Sequence, residues 1–461
     1  MTPDSPGSLP RQPADDGLTR ELGLLDATMI NAGTMIASAI FIVPSAIAAG
    51  MQASGPSLLV WIVAGLVSLC GALCVAELGA ALPAAGGQYV YLSRAFSPVI
   101  GFLYGWSAFL VINTASIAAI AVGFATYLGF FTPLTPTGIK LVASASIVGL
   151  TLINLRGLRV GATTQNLLTL PKIGALLVIP LVALLLPQGQ GANLAPLWPT
   201  EGSGSLLLAA GPALVAALWA YDGWIESTYV GSEIRDPGRN LPHSIVLSTA
   251  LVMLLYLAAN VAYFSLLTAR GVAGSTLVAS DAMKVVLGTA GAVFVSAAIL
   301  ISTLGANNGI VFTSARIPFA MAREGLFFQW AARLSRRTHS PNQALLVQMV
   351  VSVILTLTGS YVQLATYVVF VSFLFYALSA AGVLVLRRRE PNLPRPYRAW
   401  GYPVTPIVFI LFALYLVIDT IVHTPLESAV GAAIVLLGLP AYRYWRRTEA
   451  AVPSPGLAPN D

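Results

Sequence analysis

Apolar runs of about 20 residues recur along almost the whole of this 461-residue chain, and they constrain its fold more than any other feature. A run of that length, wound as an α-helix, crosses the hydrocarbon core of a bilayer. Only 9% of the residues are charged, whereas soluble proteins carry roughly 25%. The chain therefore cannot cover its surface for water, and we expect an all-α polytopic membrane protein.

Gly and Pro residues divide the apolar runs into twelve predicted transmembrane helices. Gly55-Pro56 opens the second helix, and Pro133 and Pro136 separate the third from the fourth. The predicted spans are 23–50, 56–82, 99–130, 138–155, 163–186, 206–232, 241–267, 284–317, 343–359, 361–387, 403–422 and 426–445.

Basic residues are distributed unevenly among the loops. With the N-terminus inside, most of the 24 Lys and Arg residues fall on the cytoplasmic side, as the positive-inside rule requires. The net charge of +6 thus reflects topology and does not indicate nucleic-acid binding. Residues 1–20 lack the apolar core of a signal peptide and are predicted to be a disordered cytoplasmic N-terminus, with 447–461 a cytoplasmic tail. Cys70 and Cys74 share one face of the second helix and are interpreted as free thiols that behave as small hydrophobes.

Small and hydroxylated residues interrupt the first apolar run near its middle, in the stretch Gly33-Thr34-Met35-Ile36-Ala37-Ser38-Ala39-Ile40-Phe41. A broken helix is tolerated in lipid only where protein or a water-filled cavity satisfies its backbone. Two interpretations stay open. The stretch is either a notch where another helix packs closely, or a midplane ligand site whose free N–H groups suit a carboxylate.

A second interruption is predicted in the sixth helix, at Leu218-Trp219-Ala220-Tyr221-Asp222-Gly223-Trp224. Asp222 is an acid in an apolar span, which is costly and by default functional, although it could also cap a broken helix. Either role requires unwound backbone, whose carbonyls suit an ammonium group. Because the two breaks are five helices apart, they predict inverted repeats over 21–186 and 206–387, followed by two further helices in 402–446. A carboxylate site facing an ammonium site is complementary to the α-amino acid backbone.

Lys172 lies within the fifth helix, in Leu170-Pro171-Lys172-Ile173. Its long side chain could extend to the interface and keep its ammonium in water. The alternative is a fixed ammonium that binds the carbonyls of a broken helix, in the place of the sodium ion of coupled transporters. Ser302 in the eighth helix is a plausible hydroxyl partner for it.

The remaining polar residues show no pattern typical of an enzyme. The histidines lack metal-ligand spacing, and no nucleophile–base pair or phosphate loop is visible. We therefore predict no enzymatic activity, no metal and no cofactor. The segment 233–237 is interpreted as a solvated turn with internal charge pairing. The main alternative within transport is a proton-coupled amino acid or polyamine permease with Asp222 as the titrating group; a non-transporting sensor is less favoured, because no signalling domain is visible.

Several motifs, taken in order, resemble those of the L-type amino acid transporter (LAT) family within the amino acid–polyamine–organocation (APC) superfamily. The resemblance covers roughly residues 21–400. Besides the two interrupted stretches, it rests on Ala76-Glu77-Leu78-Gly79, Pro83, Gly86-Gly87, Arg94-Ala95-Phe96, Glu233-Ile234-Arg235-Asp236-Pro237, Arg239-Asn240-Leu241-Pro242, Thr313-Ser314-Ala315-Arg316 and Ala322-Arg323-Glu324-Gly325.

The resemblance implies a LeuT-type fold of 5+5 inverted repeats and sodium-independent amino acid transport, usually as an antiporter. It implies that Lys172 matches the family's lysine in the fifth helix, with Ser302 as its hydroxyl neighbour. Ser372 falls where the tenth helix touches the substrate side chain. The other substrate-binding residues that it implies are Met35, Ile36, Ser38 and Ala39 on the carboxylate side and Trp219, Ala220 and Asp222 on the amino-group side.

The chain departs from the family at the first break, which usually reads Gly-Ser-Gly where this chain has Ala37-Ser38-Ala39. The added methyl groups and the large Trp219 side chain favour smaller neutral L-amino acids as substrates. Animal relatives are joined to a glycoprotein through a cysteine between the third and fourth helices, and Thr132 to Lys140 contain none. We therefore expect no disulfide-linked heavy chain, only substrate and lipid bilayer as partners, no nucleic acid, and a location in a bacterial inner membrane with both termini cytoplasmic.

Overall fold

A computed structural model describes residues 12–13, 16–185, 191–199, 206–359 and 361–450. Near the N-terminus, β1 (Gln12–Pro13) and β2 (Thr19–Arg20) form a short antiparallel pair with Gln12 opposite Arg20. The remainder of the predicted N-terminal disorder, residues 1–11 and 14–15, lies outside the described residues.

The first half of the described chain is almost entirely helical. Helices begin where the sequence offers caps: the Ser97 hydroxyl accepts a hydrogen bond from the Ile100 N–H, and Thr135 does the same for Gly138. A π-helical segment, Ala108–Ile112, joins the two halves of the predicted third span. The helices are α1 (Leu24–Met35), α2 (Ala39–Met51), α3 (Ser54–Ala81), α4 (Gln88–Ala95), α5 (Pro98–Ser107), α6 (Asn113–Leu128), α7 (Pro136–Asn154) and α8 (Leu158–Leu185).

The second half continues in the same way, with 3₁₀ segments at Gly191–Leu194, Gly231–Glu233 and Gln329–Ala332. Its last helix runs into the predicted tail 447–461, of which residues 451–461 lie outside the described part. The helices are α9 (Leu206–Ala220), α10 (Glu226–Tyr229), α11 (Pro237–Leu266), α12 (Ala269–Ala273), α13 (Val278–Leu287), α14 (Thr289–Ser314), α15 (Arg316–Arg323), α16 (Asn342–Thr358), α17 (Tyr361–Arg389), α18 (Val404–His423) and α19 (Pro425–Ala450).

Within the described residues, nine spans are long and apolar enough to cross a membrane, and the pair α1–α2, bent by 45°, makes a tenth. Two shorter apolar helices, Leu208–Ala220 and Asn342–Thr358, lie where the sixth and ninth spans are predicted. The chain is thus an all-α polytopic membrane protein, as the apolar runs predict. The count of twelve, and the division into two repeats of five, stay predictions.

The bent pair α1–α2 lies inside the helix bundle. Helix α1 packs against α8, α11 and α14, while α2 packs against α9. Gly33 makes this packing possible, because a Cβ there would lie 2.2 Å from the Gln165 and Thr169 side chains of α8. Met35 and Ile36 are accordingly buried. The break in the first span is therefore enclosed by protein, which is the condition for interrupted backbone at membrane depth.

Candidate functional site

The first break separates α1 from α2 over three residues, 36–38. The carbonyl of Met35 accepts hydrogen bonds from the Ala37 N–H and from the Tyr256 hydroxyl. Among the described residues, no backbone acceptor meets the N–H groups of Ser38, Ala39 and Ile40. These donors lie at the N-terminus of α2, where the helix dipole adds partial positive charge. The start of α2 is therefore equipped to bind an anionic group.

Alanine fits this break without strain. Ser38, the residue before α2, has φ −74° and ψ −19°, and neither Ala37 nor Ala39 has a positive φ. The glycines that the LAT family usually has here are thus not required by the backbone. The two methyl groups affect space rather than conformation.

Lys172 reaches the first break from α8 and is fully buried. Its ammonium donates to the carbonyls of Gly33 at 2.6 Å, Ile36 at 3.0 Å and Ser302 at 3.0 Å, so all three protons have acceptors. The Ser302 hydroxyl also donates to the Ile36 carbonyl at 2.9 Å. Lys172 therefore does not extend to the interface. It binds carbonyl groups at the C-terminal end of α1. The partial negative charge of these carbonyls is opposite to the partial positive charge of the free N–H groups at the start of α2.

The second break separates α9 from α10, with residues 221–225 in a turn. Asp222 accepts hydrogen bonds at 2.9 Å from the Gly223 N–H and from the Tyr376 hydroxyl. Gly223 has φ +119°, and a Cβ on it would lie 2.9 Å from the backbone nitrogen of Met35. Glycine is thus required both by the turn and by the direct contact between the two breaks. The Ala220 carbonyl accepts no backbone hydrogen bond from the described residues.

A cavity of about 100 Å³, which we call the central cavity, lies between the two breaks. Of the predicted substrate-binding residues, six line it: Met35, Ser38, Ala39, Trp219, Ala220 and Asp222. Ile36 and Ser372 are not among its described lining residues. The Ile36 side chain is buried and its carbonyl faces Lys172, while Ser372 on α17 is 1% exposed.

Other lining residues escaped the sequence reasoning. Glu226, the first residue of α10, faces the cavity and contacts the hydroxyl of Thr313 on α14 through its carboxylate. The sequence did contain a signal for Glu226, because an acid four residues after Asp222 in an apolar stretch is unusual. Asn113 and Ser116 line the wall formed by α6, just after the π-helical segment. That segment has no recognisable sequence pattern, so the orientation of this wall could not be predicted.

A buried ion pair lies beyond the second break. Glu233 and Arg316 are each 1% exposed and form a two-pronged pair at 2.8 and 2.9 Å. The interpretation of residues 233–237 as a solvated turn with internal pairing is therefore wrong for Glu233, which is buried and whose partner is about eighty residues away in the sequence. Burial raises the pKa of the Glu233 carboxyl, and the Arg316 guanidinium opposes that rise. The pair fixes the segment after α10 to α15.

A sequence profile of the amino acid permease family matches residues 22–439, which is most of the chain. The chain belongs to the amino acid permease family. It is accordingly a membrane transport protein of the APC superfamily and not an enzyme. The match extends across both breaks and the central cavity.

Curated relatives agree with this assignment over nearly the full length of the permease. The b(0,+)-type amino acid transporter 1 of Mus musculus is 34% identical over 431 residues, covering 92% of this chain and 88% of the relative. The human protein of the same name is 33% identical over 439 residues, covering 94% and 89%. The human large neutral amino acids transporter small subunit 2 is 34% identical over 444 residues, covering 93% of this chain and 81% of the relative.

Proposed function

We propose that this permease is a sodium-independent amino acid transporter that exchanges neutral L-amino acids by alternating access. One observation carries the proposal: a single cavity has free N–H groups at the start of α2 on one side and the Ala220 carbonyl with Asp222 on the other. This arrangement is complementary to an α-carboxylate and an α-ammonium. Breaks of this kind in two helices are typical of transporters that bind their substrate near the bilayer midplane.

The substrate carboxylate would bind the N–H groups of Ser38 and Ala39, and the Ser38 hydroxyl would add a donor. The ammonium would bind the Ala220 carbonyl, with the Asp222 carboxylate nearby. Trp219 lines the same cavity, where its large ring would cover the bound substrate. Ser372 would act only after a rearrangement that brings α17 closer to the substrate.

Lys172 would replace the sodium ion. In a sodium-coupled transporter, a bound cation satisfies the carbonyls of the broken first helix, whereas here the Lys172 ammonium already holds three carbonyls around that break. No cation has to be recruited from solution to stabilise the bent conformation. Sodium independence follows from this geometry.

We propose that the permease prefers small neutral amino acids as substrates, because Ala37, Ala39 and Trp219 all occupy space in a cavity of only about 100 Å³. Uptake competition across a size series tests this. Alanine and serine should compete better than tyrosine and tryptophan, and the reverse order would refute the preference.

We also propose that the permease works without a disulfide-linked heavy chain, in a bacterial inner membrane with both termini in the cytoplasm. The human relative is named a small subunit, but the loop between α6 and α7 contains no cysteine that could form such a link. Cys70 and Cys74 both lie within α3. Transport by the purified single chain is the expected result, and a requirement for a second protein would contradict it.

The decisive experiment uses purified protein in liposomes preloaded with unlabelled neutral amino acids. Uptake of radiolabelled alanine should be saturable, should require internal amino acid, and should be equal in sodium and potassium media. Uptake that needs a sodium gradient would refute sodium independence. Uptake into empty liposomes at the same rate would refute obligatory exchange.

A further inference from the structure

The central cavity contains two carboxylates but, among its described lining residues, no Lys, Arg or His. The residues are Asp222 in the second break and Glu226 at the start of α10. Glu226 is only 6% exposed. Lys172, the cation of the first break, has all its protons engaged by backbone carbonyls. The segment 361–369 of α17, whose side chains are not described, contains no basic residue in its sequence. The described lining of the cavity therefore has two acids and no cationic side chain.

The two carboxylates have different hydrogen-bonding environments. Asp222 receives two donors, the Gly223 N–H and the Tyr376 hydroxyl, which stabilise its charged form. Glu226 has one described partner, the Thr313 hydroxyl, and that oxygen is also 2.9 Å from the Gly309 carbonyl. A hydroxyl has a single proton. When Thr313 donates to Gly309, its contact with Glu226 needs a proton on the glutamate.

In the described part of the chain, no cationic side chain is found among the electrostatic partners of Glu226. Among the described residues, the titratable groups that interact electrostatically with Glu226 are Asp222 from the preceding turn, Tyr229 on α10, Tyr104 on α5 and Tyr376 on α17. The hydroxyls of Tyr104 and Tyr229 hydrogen-bond to each other at 2.8 Å. From α1, the neutral Asn31 binds the adjacent Ser227. These four titratable groups are all acids, so none of them brings a positive charge to Glu226.

Charge balance then separates the roles of the two acids. A bound neutral amino acid brings one ammonium, which Asp222 can balance, and one carboxylate, which the N-terminus of α2 receives. A second ionised carboxylate would remain unpaired in a site largely shielded from water, where uncompensated charge is costly. Protonation of Glu226 removes that charge.

We propose that Glu226 is a proton-binding site of the transport cycle, which takes up one proton from cavity water when a neutral amino acid binds. The proton attaches to the carboxylate oxygen that faces the cavity or Thr313, and leaves again with release of the substrate. Asp222 stays ionised opposite the substrate ammonium. This inference rests on the proposed exchange function and extends it, since each substrate then moves together with a proton.

The test measures alanine counterflow by the purified full-length chain in liposomes between pH 5.5 and 8.5. For the wild type, the alanine KM should rise with pH once Glu226 is deprotonated in the empty cavity, approaching tenfold per pH unit for a one-proton linkage. Glu226→Gln imitates the protonated side chain, so its KM should no longer vary with pH. Glu226→Asp should restore a pH dependence. Glu390→Gln, which alters a partly exposed acid paired with Arg94, is the matched control and should keep the wild-type profile.

A second measurement does not depend on the folding of a variant. Wild-type protein in weakly buffered detergent solution, with a pH-sensitive dye, should take up protons when alanine is added. Absence of proton uptake, or identical pH profiles for wild type and Glu226→Gln, would overturn the inference. Counterflow in the wild type that is independent of pH would refute only the proton site. Absence of counterflow at every pH would refute the proposed exchange function itself.

Discussion

The two breaks that form the central cavity obtain their charges in different ways. The first has no ionisable residue of its own and receives its cation from α8, through Lys172. The second includes its own acid, Asp222, and is followed directly by Glu226. Within the described structure, Lys172 occupies carbonyls at the first break and leaves N–H groups free there, whereas at the second break the Ala220 carbonyl has no backbone donor and two acids, Asp222 and Glu226, line the cavity.

Because of this difference, one wall of the central cavity is suited to an anion and the opposite wall to a cation. Because the Lys172 ammonium binds only carbonyls, the positive end of α2 stays available for an anion. Internal acids make the opposite wall suitable for a cation. Two breaks with the same chemistry would bind two like charges, whereas these two favour a zwitterion held lengthwise between them. Substitutions that alter one break and spare the other can therefore test the comparison.

The largest effect is expected for Lys172→Ala. The substitution leaves the carbonyls of Gly33, Ile36 and Ser302 without their ammonium donor, and hydrogen bonds to a charged group contribute about 1.5–3 kcal/mol each. We expect alanine counterflow to fall by at least about 100-fold, the equivalent of roughly 2.7 kcal/mol. Counterflow per molecule of purified, monodisperse protein is the measurement. Transport with unchanged KM and rate would show that the first break does not need the ammonium of Lys172.

Gly223→Ala should be next in size, because it disturbs the contact between the breaks. The new Cβ would lie 2.9 Å from the Met35 nitrogen, at a residue with φ +119°. Strain of about 1–3 kcal/mol is typical for such a position and corresponds to a loss of roughly 5- to 150-fold. Gly174→Ala in α8 is the matched control, since a Cβ there meets nothing within 4 Å. Equal activities of the two variants would contradict a tight junction between the breaks.

Asp222→Asn changes the charge of the second break and keeps its shape. The amide oxygen can still accept from the Gly223 N–H and the Tyr376 hydroxyl, so the turn should persist. Loss of the negative charge should raise the alanine KM by about tenfold, or roughly 1.4 kcal/mol, with a smaller change in maximal rate. Concentration series of counterflow separate the two parameters. A variant whose KM is unaltered would show that the ammonium does not face this acid.

Ser302→Ala should have the smallest effect of the four. It removes the hydroxyl that donates to the Ile36 carbonyl, while the Lys172 ammonium still occupies the same oxygen. A net hydrogen bond of about 1 kcal/mol predicts a three- to sixfold decrease in counterflow. Thr303→Ala is a suitable comparison, because its hydroxyl bonds only within its own helix. If both variants lose activity equally, the Ser302 contact has no specific role.

The positions of the two breaks could be predicted from sequence because each has a local signature. Small residues from Gly33 to Ala39 and an acid followed by glycine at Asp222 are unusual in apolar helices, and both mark interrupted backbone in the structure. The placement of Lys172 near the first break followed from the resemblance, and its three carbonyl partners came only from the structure.

Features that depend on distant pairing could not be predicted. Glu233 looked solvated because its near neighbours in sequence are charged, yet its partner Arg316 lies on another helix. Glu226 was not identified from the sequence, although it lies within the predicted span 206–232 and lines the cavity just after the turn at Gly223. The helical periodicity of Pro98–Leu128 gave no sign of the π segment that divides it. In each case a long-range contact, or a local change of helix type, decides where the side chain points.

The π-helical segment Ala108–Ile112 changes the direction in which side chains point along one span. A π bulge amounts to one extra residue in a helical turn, so side chains after it are rotated by about 100° relative to those of an unbroken α-helix. Ahead of the segment, Phe102 stacks on Trp106 and meets Tyr442 of α19, whereas Asn113 after it borders the cavity. One span can thereby present its packing face and its cavity face on different sides. Removing a single residue between 108 and 112 would turn Asn113 away from the cavity and leave the α19 contact in place. The length of this segment therefore determines which side chains line the cavity, independently of how the start of the span packs.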